Sequence, residues 1–344
     1  MLQLVAGLLL LIAGAEWLVR GAIRLADSLK VRPLVIGLSV VALGSSAPQL
    51  AVSLQAAYAG TPDIAVGSLF GSNIFSLLVT LGLSALIIPL RVSRQLVRLD
   101  IPLLIGASAL VFALASNERL GRLEGGLLLV ALVFYLGVLW RQSRHPGRPA
   151  SHQHAAPWLK CIALMLGGLL LLVAGGHLLL EAAIEVAQDF GLSDRVIGLT
   201  IVAVGTSLPE LATSLIAAMR GQREIAVGNV IGSNLFNLLG VLGLTALLTP
   251  EPLSVSPNAL DFDLPVMLGV ALLCLPLFYT GYRITRVEGL VLLGLYLAYG
   301  LHVVSFTTGM PLAGKLEQWM LFGVLPVLAA VVLVSSVRAW RRQH

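Results

Sequence analysis

One acidic side chain stands in the middle of a polar phrase that apolar sequence surrounds on both sides. The phrase "AVGTSLPELATS" covers residues 203–214 and contains Glu210. A nearly identical phrase, "ALGSSAPQLAVS" at residues 42–53, has Gln49 in the same place. Carboxylate, amide and backbone oxygens are the ligands that hard cations such as Ca2+ prefer. The two phrases therefore predict a cation site whose negative charge comes from Glu210.

A proline makes each phrase unusual as a helical segment. Pro48 and Pro209 have no N–H group, so the carbonyls of Gly44 and Gly205 lose their helical donors, and we expect both helices to open there. In a bilayer, freed carbonyls are tolerated only where protein or a water-filled cavity receives them. Residues at helical spacing can then point oxygens at one place. The residues on these faces are Ala42, Ser45 and Gln49 in one phrase, and Ala203, Thr206 and Glu210 in the other.

A second pair of motifs follows the two phrases. "GSLFGSNIFS" begins at Gly67, and "GNVIGSNLFN" begins at Gly228. A single GSN motif is a weak signal, but two copies that each follow a proline-bearing polar phrase are a strong one. The serine of each GSN motif and the polar residue one helical turn later on the same face are further candidate ligands. They are Ser72 and Ser76 in the first copy, and Ser233 and Asn237 in the second.

The composition predicts an all-α polytopic membrane protein. Of 344 residues, 58% are hydrophobic and 11% are charged, and apolar runs of about 20 residues, enough to cross a bilayer, recur along the whole chain. Lys and Arg number 16 in the loops on one side of the predicted spans and 4 on the other. The positive-inside rule then places the N-terminus outside and the C-terminus in the cytoplasm of a cell (inner) membrane. It also explains the basic pI without nucleic acid. The predicted spans are 2–26, 33–59, 64–89, 99–116, 122–140, 158–188, 196–219, 225–249, 260–279, 286–305 and 316–337.

The chain contains an internal repeat. Residues 37–89 align with residues 198–250 without a gap, and 30 of the 53 positions are identical. Each repeat has five spans, an odd number, so the second repeat must be inverted relative to the first. Inverted repeats with interrupted helices are typical of secondary transporters that bind their substrate at the membrane midplane. The predicted organisation is a first five-helix repeat (1–140), a cytoplasmic linker (141–157), a second five-helix repeat (158–306) and an extra eleventh span (316–337).

Three other functions are weaker interpretations of the same residues. A duplicated bundle with only a structural role would not need to preserve its hydroxyls, glycines and prolines more faithfully than its apolar residues. An intramembrane enzyme would need a nucleophile with a base or a metal-binding histidine pair, and neither Ser45 nor Ser46 has a histidine near it in the sequence. A channel is possible, but broken helices in inverted repeats suit alternating access better.

With these paired motifs, residues 1–306 resemble the calcium/cation antiporter superfamily, in particular the sodium/calcium exchanger family and its bacterial relatives. The resemblance implies ten core spans, an N-terminus outside, and exchange of Ca2+ against Na+ by alternating access. It also implies that Ala42, Ser45, Ala203 and Thr206 bind cations largely through backbone carbonyls. By position, the implied ligands are Ala42, Ser45, Gln49, Ser72, Ser76, Ala203, Thr206, Glu210, Ser233 and Asn237.

The chain departs from the family pattern at two of these positions. The family usually has Glu where this chain has Gln49, and Asn or Asp where it has Ser76. Ca2+ beside Glu210 alone leaves a charge of +1, which costs at least about 2.5 kcal/mol at the membrane centre. Ca2+/Na+ exchange is the first expectation. Na+/H+ or other monovalent cation exchange is the alternative, and a non-transporting degenerate family member is a remote one.

The remaining expectations concern partners and other acids. We expect no resident cofactor, cations (Ca2+, Na+ or H+) as substrates, the lipid bilayer as surroundings, and no nucleic acid or obligate protein partner. Glu16 is expected to pair with Arg20 one helical turn later. The other acids at span starts are interpreted as anchors of helix N-termini. They are Asp100, Asp261, Glu124 and Glu288.

Overall fold

The computed structural model describes residues 2–143, 158–189, 201–279 and 281–307, together with 318, 319 and 323. These residues are almost entirely helical, and nine of their helices are long and apolar enough to cross a membrane. Ten helices follow one another: α1 (Leu2–Leu29), α2 (Pro33–Tyr58), α3 (Pro62–Ile87), α4 (Leu96–Asn117), α5 (Arg122–Ser143), α6 (Trp158–Asp189), α7 (Ala203–Thr206 and Leu208–Met219), α8 (Arg223–Leu248), α9 (Ala259–Tyr279) and α10 (Arg286–Thr307).

The ten predicted core spans coincide with these ten helices. The prediction of a polytopic helical membrane protein is therefore confirmed. Three predicted parts fall wholly or mostly outside the described residues: the linker from 144 onward, the start of the seventh span at 196–200, and nearly all of the eleventh span at 316–337.

Glycines bring α1 and α6 into close antiparallel contact. A Cβ built on Gly168 would lie 2.6 Å from the amide nitrogen of Leu18, and one built on Gly175 would lie 2.7 Å from that of Leu11. No side chain fits at such distances, so the two backbones touch along their length. Close approach of this kind gives membrane helices the packing contacts that lipid-facing apolar residues cannot provide.

The two halves of the chain also interlock, and they do so twice in the same way. Gly82 of α3 meets Gly289 of α10 (Cβ position to carbonyl oxygen, 3.0 Å), and Gly125 of α5 meets Gly243 of α8 (2.7 Å). Two short strand pairs repeat the pattern in the loops, with one pair at each end of the bundle. The pairs are β1 (Leu90–Arg91) with β4 (Arg283–Ile284), and β2 (Arg119–Leu120) with β3 (Leu253–Ser254).

An inverted duplication predicts this mirrored arrangement, because equivalent residues of the two halves then make equivalent contacts at opposite ends. β1 and β4 lie on the side that carries the arginine-rich loops, which we call the arginine-rich side, and β2 and β3 lie on the opposite side. The boundaries of the two repeats at 1–140 and 158–306 stay a prediction.

The two proline-bearing phrases differ in their backbone. α7 is interrupted at Ser207, whose N–H donates to Val204 three residues back (3.0 Å) before the helix resumes at Leu208. α2 instead stays helical from Ala42 to Tyr58 with Pro48 inside it. The expected opening around Ser45 is therefore wrong for the first phrase. A proline removes only one helical hydrogen bond, and a helix can kink and continue past it.

Candidate cation site

Four helices bring all ten predicted site residues into the interior of the bundle. Two of them, α3 and α8, are the most buried of the nine long spans. Each of the ten residues has an exposed fraction of 8% or less, and Glu210 has 1%. The side chain on which the predicted site depends therefore does not face lipid. The residues are Ala42, Ser45 and Gln49 on α2, Ser72 and Ser76 on α3, Ala203, Thr206 and Glu210 on α7, and Ser233 and Asn237 on α8.

Hydroxyls from both halves of the chain surround the Glu210 carboxylate. Ser76 donates to Oε2 at 2.5 Å, and Ser46 donates to Oε1 at 3.3 Å. Ser233 and Asn237 also lie close to the carboxylate. The cluster draws its polar side chains from α2, α3, α7 and α8, and its member from α2 is Ser46. Among the described residues, no group of three or more His, Cys, Asp or Glu side chains is placed to hold a metal ion. Glu210 is the one acid among the residues named in this cluster.

Gln49 leaves an acceptor oxygen free in the interior. Its Nε2 donates to Ser68 at 3.4 Å, whereas its Oε1 is buried without a hydrogen-bond partner in the described part of the chain. Asn237 repeats the pattern, because its Nδ2 donates to Asn73 at 3.0 Å and its Oδ1 has no such partner. Buried polar atoms are nearly always paired. A hard cation would satisfy free carbonyl-type oxygens of this kind.

The backbone oxygens that were expected to bind cations are partly occupied by hydroxyls of their own helices. Ala42 accepts from Ser45 at 3.2 Å, and Ala203 accepts from Thr206 and from Ser207 at 3.1 Å each. A carbonyl oxygen has two lone pairs, so the Ala203 oxygen would have to lose one of its two hydroxyl bonds to bind an ion. The ligand roles of these residues stay a prediction.

The structure adds polar residues that the sequence analysis did not select. Ser207 meets Ser72 at 2.7 Å and joins the interrupted part of α7 to α3, and Ser46 touches Glu210. Ser46 and Ser207 occupy the same position of the two phrases, and they are identical. This identity between the two phrases is the sequence signal that could have identified both serines as candidate site residues.

Asn229 organises the same region from α8. Its Nδ2 donates to Ser214 at 2.9 Å and to the backbone oxygen of Glu210 at 3.3 Å, and its Oδ1 accepts from Ser45 at 3.0 Å. In the repeat alignment Asn229 corresponds to Ser68, the partner of Gln49. The two residues therefore hold the equivalent Glu and Gln segments in place.

Three of the acids set aside in the sequence analysis are found as expected. Glu16 pairs with Arg20, and it also accepts from Arg220 Nε at 3.0 Å, which joins α1 to the end of α7. Glu124 accepts from the N–H of Gly121 at 2.9 Å and anchors the start of α5. Glu288 accepts from the N–H of Thr285 at 2.6 Å and anchors the start of α10.

Asp261 lies in the first turn of α9, as expected for an anchor, whereas the interpretation of Asp100 as an anchor is wrong. Asp261 is exposed, whereas Asp100 is fully buried, and neither side-chain oxygen of Asp100 has a hydrogen-bond partner within the described ranges. Two prolines, Pro102 and Pro265, align the segments with an offset that makes Asp263 the counterpart of Asp100. Asp263 is also buried.

Comparisons with known proteins agree with this site and fold. A family model described as sodium/calcium exchanger protein matches residues 1–141 and 160–305. The chain is 39% identical over 303 residues to the putative antiporter CaxA of Alkalimonas amylolytica, covering 85% of this chain and 95% of that protein. It is 32% identical over 339 residues to the sodium/calcium exchanger MaX1 of Methanosarcina acetivorans, covering 87% and 96%.

A solved structure shows the same fold. The sodium-calcium exchanger NCX_Mj, soaked with 100 mM Na+ and 10 mM Sr2+, superimposes with a TM-score of 0.74 at 32% identity, covering 86% of this chain and 95% of that one. Members of this family are secondary transporters of cations and not enzymes. The chain is a multi-pass membrane protein that belongs to the sodium/calcium exchanger family of cation antiporters.

Proposed function

We propose that this antiporter exchanges Ca2+ against Na+ by alternating access, with the ions bound around Glu210 between α2, α3, α7 and α8. The observation that carries the proposal is the buried carboxylate with hydroxyls around it, together with buried amide oxygens on α2 and α8 that have no hydrogen-bond partner among the described residues. Gln49 Oε1 and Asn237 Oδ1 supply the free acceptors, and no further group among the described residues competes for them. Relatives of this chain are named as sodium/calcium exchangers, which supports the choice of ions.

A packing difference between equivalent helices supports alternating access. On the arginine-rich side α2 packs tightly on α8, since the Cβ of Ala42 lies 2.7 Å from a Cβ position built on Gly232. On the opposite side the equivalent distance, from Ala203 of α7 to Gly71 of α3, is 3.6 Å. The contact of α2 with α8 is thus tighter than the equivalent contact of α7 with α3. If the α2–α8 contact became loose and the α7–α3 contact became tight, the cation site would become accessible from the other side of the membrane.

Gln49 favours a second candidate, exchange of monovalent cations such as Na+ and H+. With Glu210 as the charged group of the site, one Na+ or one proton is neutralised, whereas Ca2+ leaves a net positive charge. That charge would cost at least about 2.5 kcal/mol at the membrane centre. The free oxygen of Gln49 still coordinates Ca2+, so the substitution is expected to lower affinity without removing the ligand.

Reconstitution into liposomes tests the proposal and separates the two candidates. We expect an outward Na+ gradient to drive 45Ca2+ uptake, and Glu210→Gln to reduce uptake by at least about tenfold because the ion loses the counter-charge that Glu210 supplies. Glu251→Gln, in an exposed loop, is the matched control and should transport normally. Flux of Na+ against H+ without Ca2+ uptake would establish the second candidate. Cation flux that is indifferent to Glu210→Gln would contradict the site itself.

A further inference from the structure

Two segments at the starts of α4 and α9 match each other, although the sequence analysis did not pair them. Residues 93–102 read "SRQLVRLDIP" and residues 256–265 read "SPNALDFDLP". In both, the helix begins with a wide π-type turn that ends at the aspartate, two residues before the proline. Alignment of Arg122 with Arg286 adds a tyrosine on the following helix. The matched pairs are Gln95 with Asn258, Asp100 with Asp263, and Tyr135 with Tyr299.

The pair on the side opposite the arginine-rich loops is joined by hydrogen bonds. The hydroxyl of Tyr299 donates to Asp263 Oδ1 at 3.0 Å, and Asn258 Nδ2 lies 3.5 Å from Oδ2. The ring of Tyr299 is parallel to that of Phe262, with 6.1 Å between the ring centres. This contact therefore fixes α10 against the wide turn of α9.

The equivalent pair on the arginine-rich side makes no such bond. Asp100 and Tyr135 are near enough to interact electrostatically, and both are buried. Gln95 lies beside the Asp100 carboxylate, but both carboxylate oxygens, the hydroxyl of Tyr135 and Nε2 of Gln95 have no partner within hydrogen-bond geometry among the residues the structure describes. A buried polar group left unpaired is costly. Three mirrored groups are thus in place for a contact that is made in one half and not made in the other.

The position of Tyr299 connects this contact with the packing difference around the cation site. Its hydroxyl lies 3.9 Å from a Cβ position built on Gly71. The methyl group of Ala203 lies 3.6 Å from the same position. At the mirrored place, the three atoms nearest to a Cβ on Gly232 belong to Ala42 and Leu38. The tyrosine hydroxyl therefore lies beside the looser contact of α3 with α7. At the equivalent position on α8, residues of α2 occupy the space next to Gly232.

We infer that Tyr135 and Tyr299 are mirrored positioning residues of the transport cycle, a conclusion that rests on the proposed alternating access. The Tyr299–Asp263 hydrogen bond stabilises the present state, in which α2 is tight on α8 and α7 is looser on α3. In the opposite state α7 closes on Gly71, the Tyr299 bond is lost, and the phenol of Tyr135 donates to Asp100. Each bond thus belongs to one access state only.

Hydrogen–deuterium exchange of the full-length protein in detergent micelles tests this inference through opposite effects of two equivalent substitutions. Tyr299→Phe removes the bond of the present state, so exchange should rise in residues 33–41 of α2 and fall in residues 201–206 of α7. Tyr135→Phe removes the bond of the other state and should shift both segments the other way. Removing one hydrogen bond should change the population ratio of the two access states about fivefold.

Conservative variants separate positioning from a general loss of stability. Tyr296→Phe, one turn from Tyr299 with its ring edge-on to Phe75, is the matched control and should leave both segments unchanged. Asp263→Asn keeps an acceptor for the phenol and should resemble the native protein, whereas Asp263→Leu should behave like Tyr299→Phe. Shifts in the same direction for both tyrosine variants, or no shift in either, would overturn the inference. Opposite shifts combined with ion flux indifferent to Glu210→Gln would support it and contradict only the proposed ion chemistry.

Discussion

Glu210 and Gln49 are equivalent residues with different charge, and the site is built around this difference. Glu210 is hydrogen-bonded by Ser46 and Ser76, so its carboxylate already has two donors before any ion arrives. Gln49 is held by a single long bond from its nitrogen, and its oxygen is free among the described residues. In the proposed site the first half would therefore contribute oxygen ligands, and the second half would contribute both ligands and charge.

Restoring the missing charge should tighten Ca2+ binding. Gln49→Glu would make the site neutral with Ca2+ bound, which removes a cost of at least about 2.5 kcal/mol and raises affinity at least about tenfold. The measurement is the Ca2+ dependence of Na+-driven uptake in liposomes. Gln222→Glu, at the start of α8, is the control with the same change of residue type and should not alter the Ca2+ dependence. An unchanged affinity in Gln49→Glu would show that residue 49 does not reach the ion.

At the scale of elements, glycine-lined contacts fix how close the helices come. The α1–α6 pair depends on Gly14 and Gly168, because neither position has room for a Cβ beside the backbone of the other helix. The wide turns at the starts of α4 and α9 have a similar role. Each turn positions an aspartate within reach of a tyrosine on the following helix. Backbone shape, more than side-chain bulk, therefore positions the polar groups.

A single added methyl group should separate α1 from α6. In Gly168→Ala the new Cβ would lie 2.6 Å from the nitrogen of Leu18 and 2.7 Å from the oxygen of Gly14, neither of which can move aside cheaply. Overpacking of this kind typically costs about 1–3 kcal/mol. The expected result is a lower melting temperature of the purified protein in detergent. Gly137→Ala, where no described atom lies within 4 Å of the new Cβ, should melt like the native protein, and equal melting of both variants would contradict the contact.

At the scale of the whole molecule, the two halves make equivalent contacts in opposite directions but are not in equivalent states. The strand pairs β1–β4 and β2–β3 and the glycine contacts of α3–α10 and α5–α8 are made in both halves. The contacts of Ala42 and Ala203, and those of Tyr135 and Tyr299, differ between the halves. The shared contacts form a frame, and the unequal ones are the parts that alternating access would exchange.

The orientation predicted from Lys and Arg counts is tested by labelling single cysteines in intact bacterial cells. The native Cys161 and Cys274 are buried, so the unmodified protein should give little background. An impermeant maleimide should label Ser116→Cys in intact cells, and Arg91→Cys only after permeabilisation, because these exposed positions lie at opposite ends of the bundle. Labelling in the reverse pattern would show that the N-terminus lies in the cytoplasm.

The amino-acid sequence by itself determined the class of the protein and its ten core spans, and it selected the residues of the candidate site. Length and apolarity mark a membrane helix wherever it folds, because a bilayer requires about 20 apolar residues. The repeat made Glu210, Gln49 and the serines visible, since polar residues that recur at matching places in apolar sequence mark where polar groups must meet. It did not reveal Asn229 or Ser207, whose importance depends on which neighbouring helix each side chain meets.

The tertiary structure alone decided which of two equivalent residues makes a contact. Ser46 and Ser207 are identical in sequence, yet the first bonds to Glu210 and the second to Ser72. Likewise α7 breaks beside Pro209 while α2 winds through Pro48. The shared residues of the two phrases do not by themselves distinguish these arrangements, which depend also on how the halves pack against each other. Helix packing, which the order of residues specifies only through the whole fold, sets which side of the site is tight.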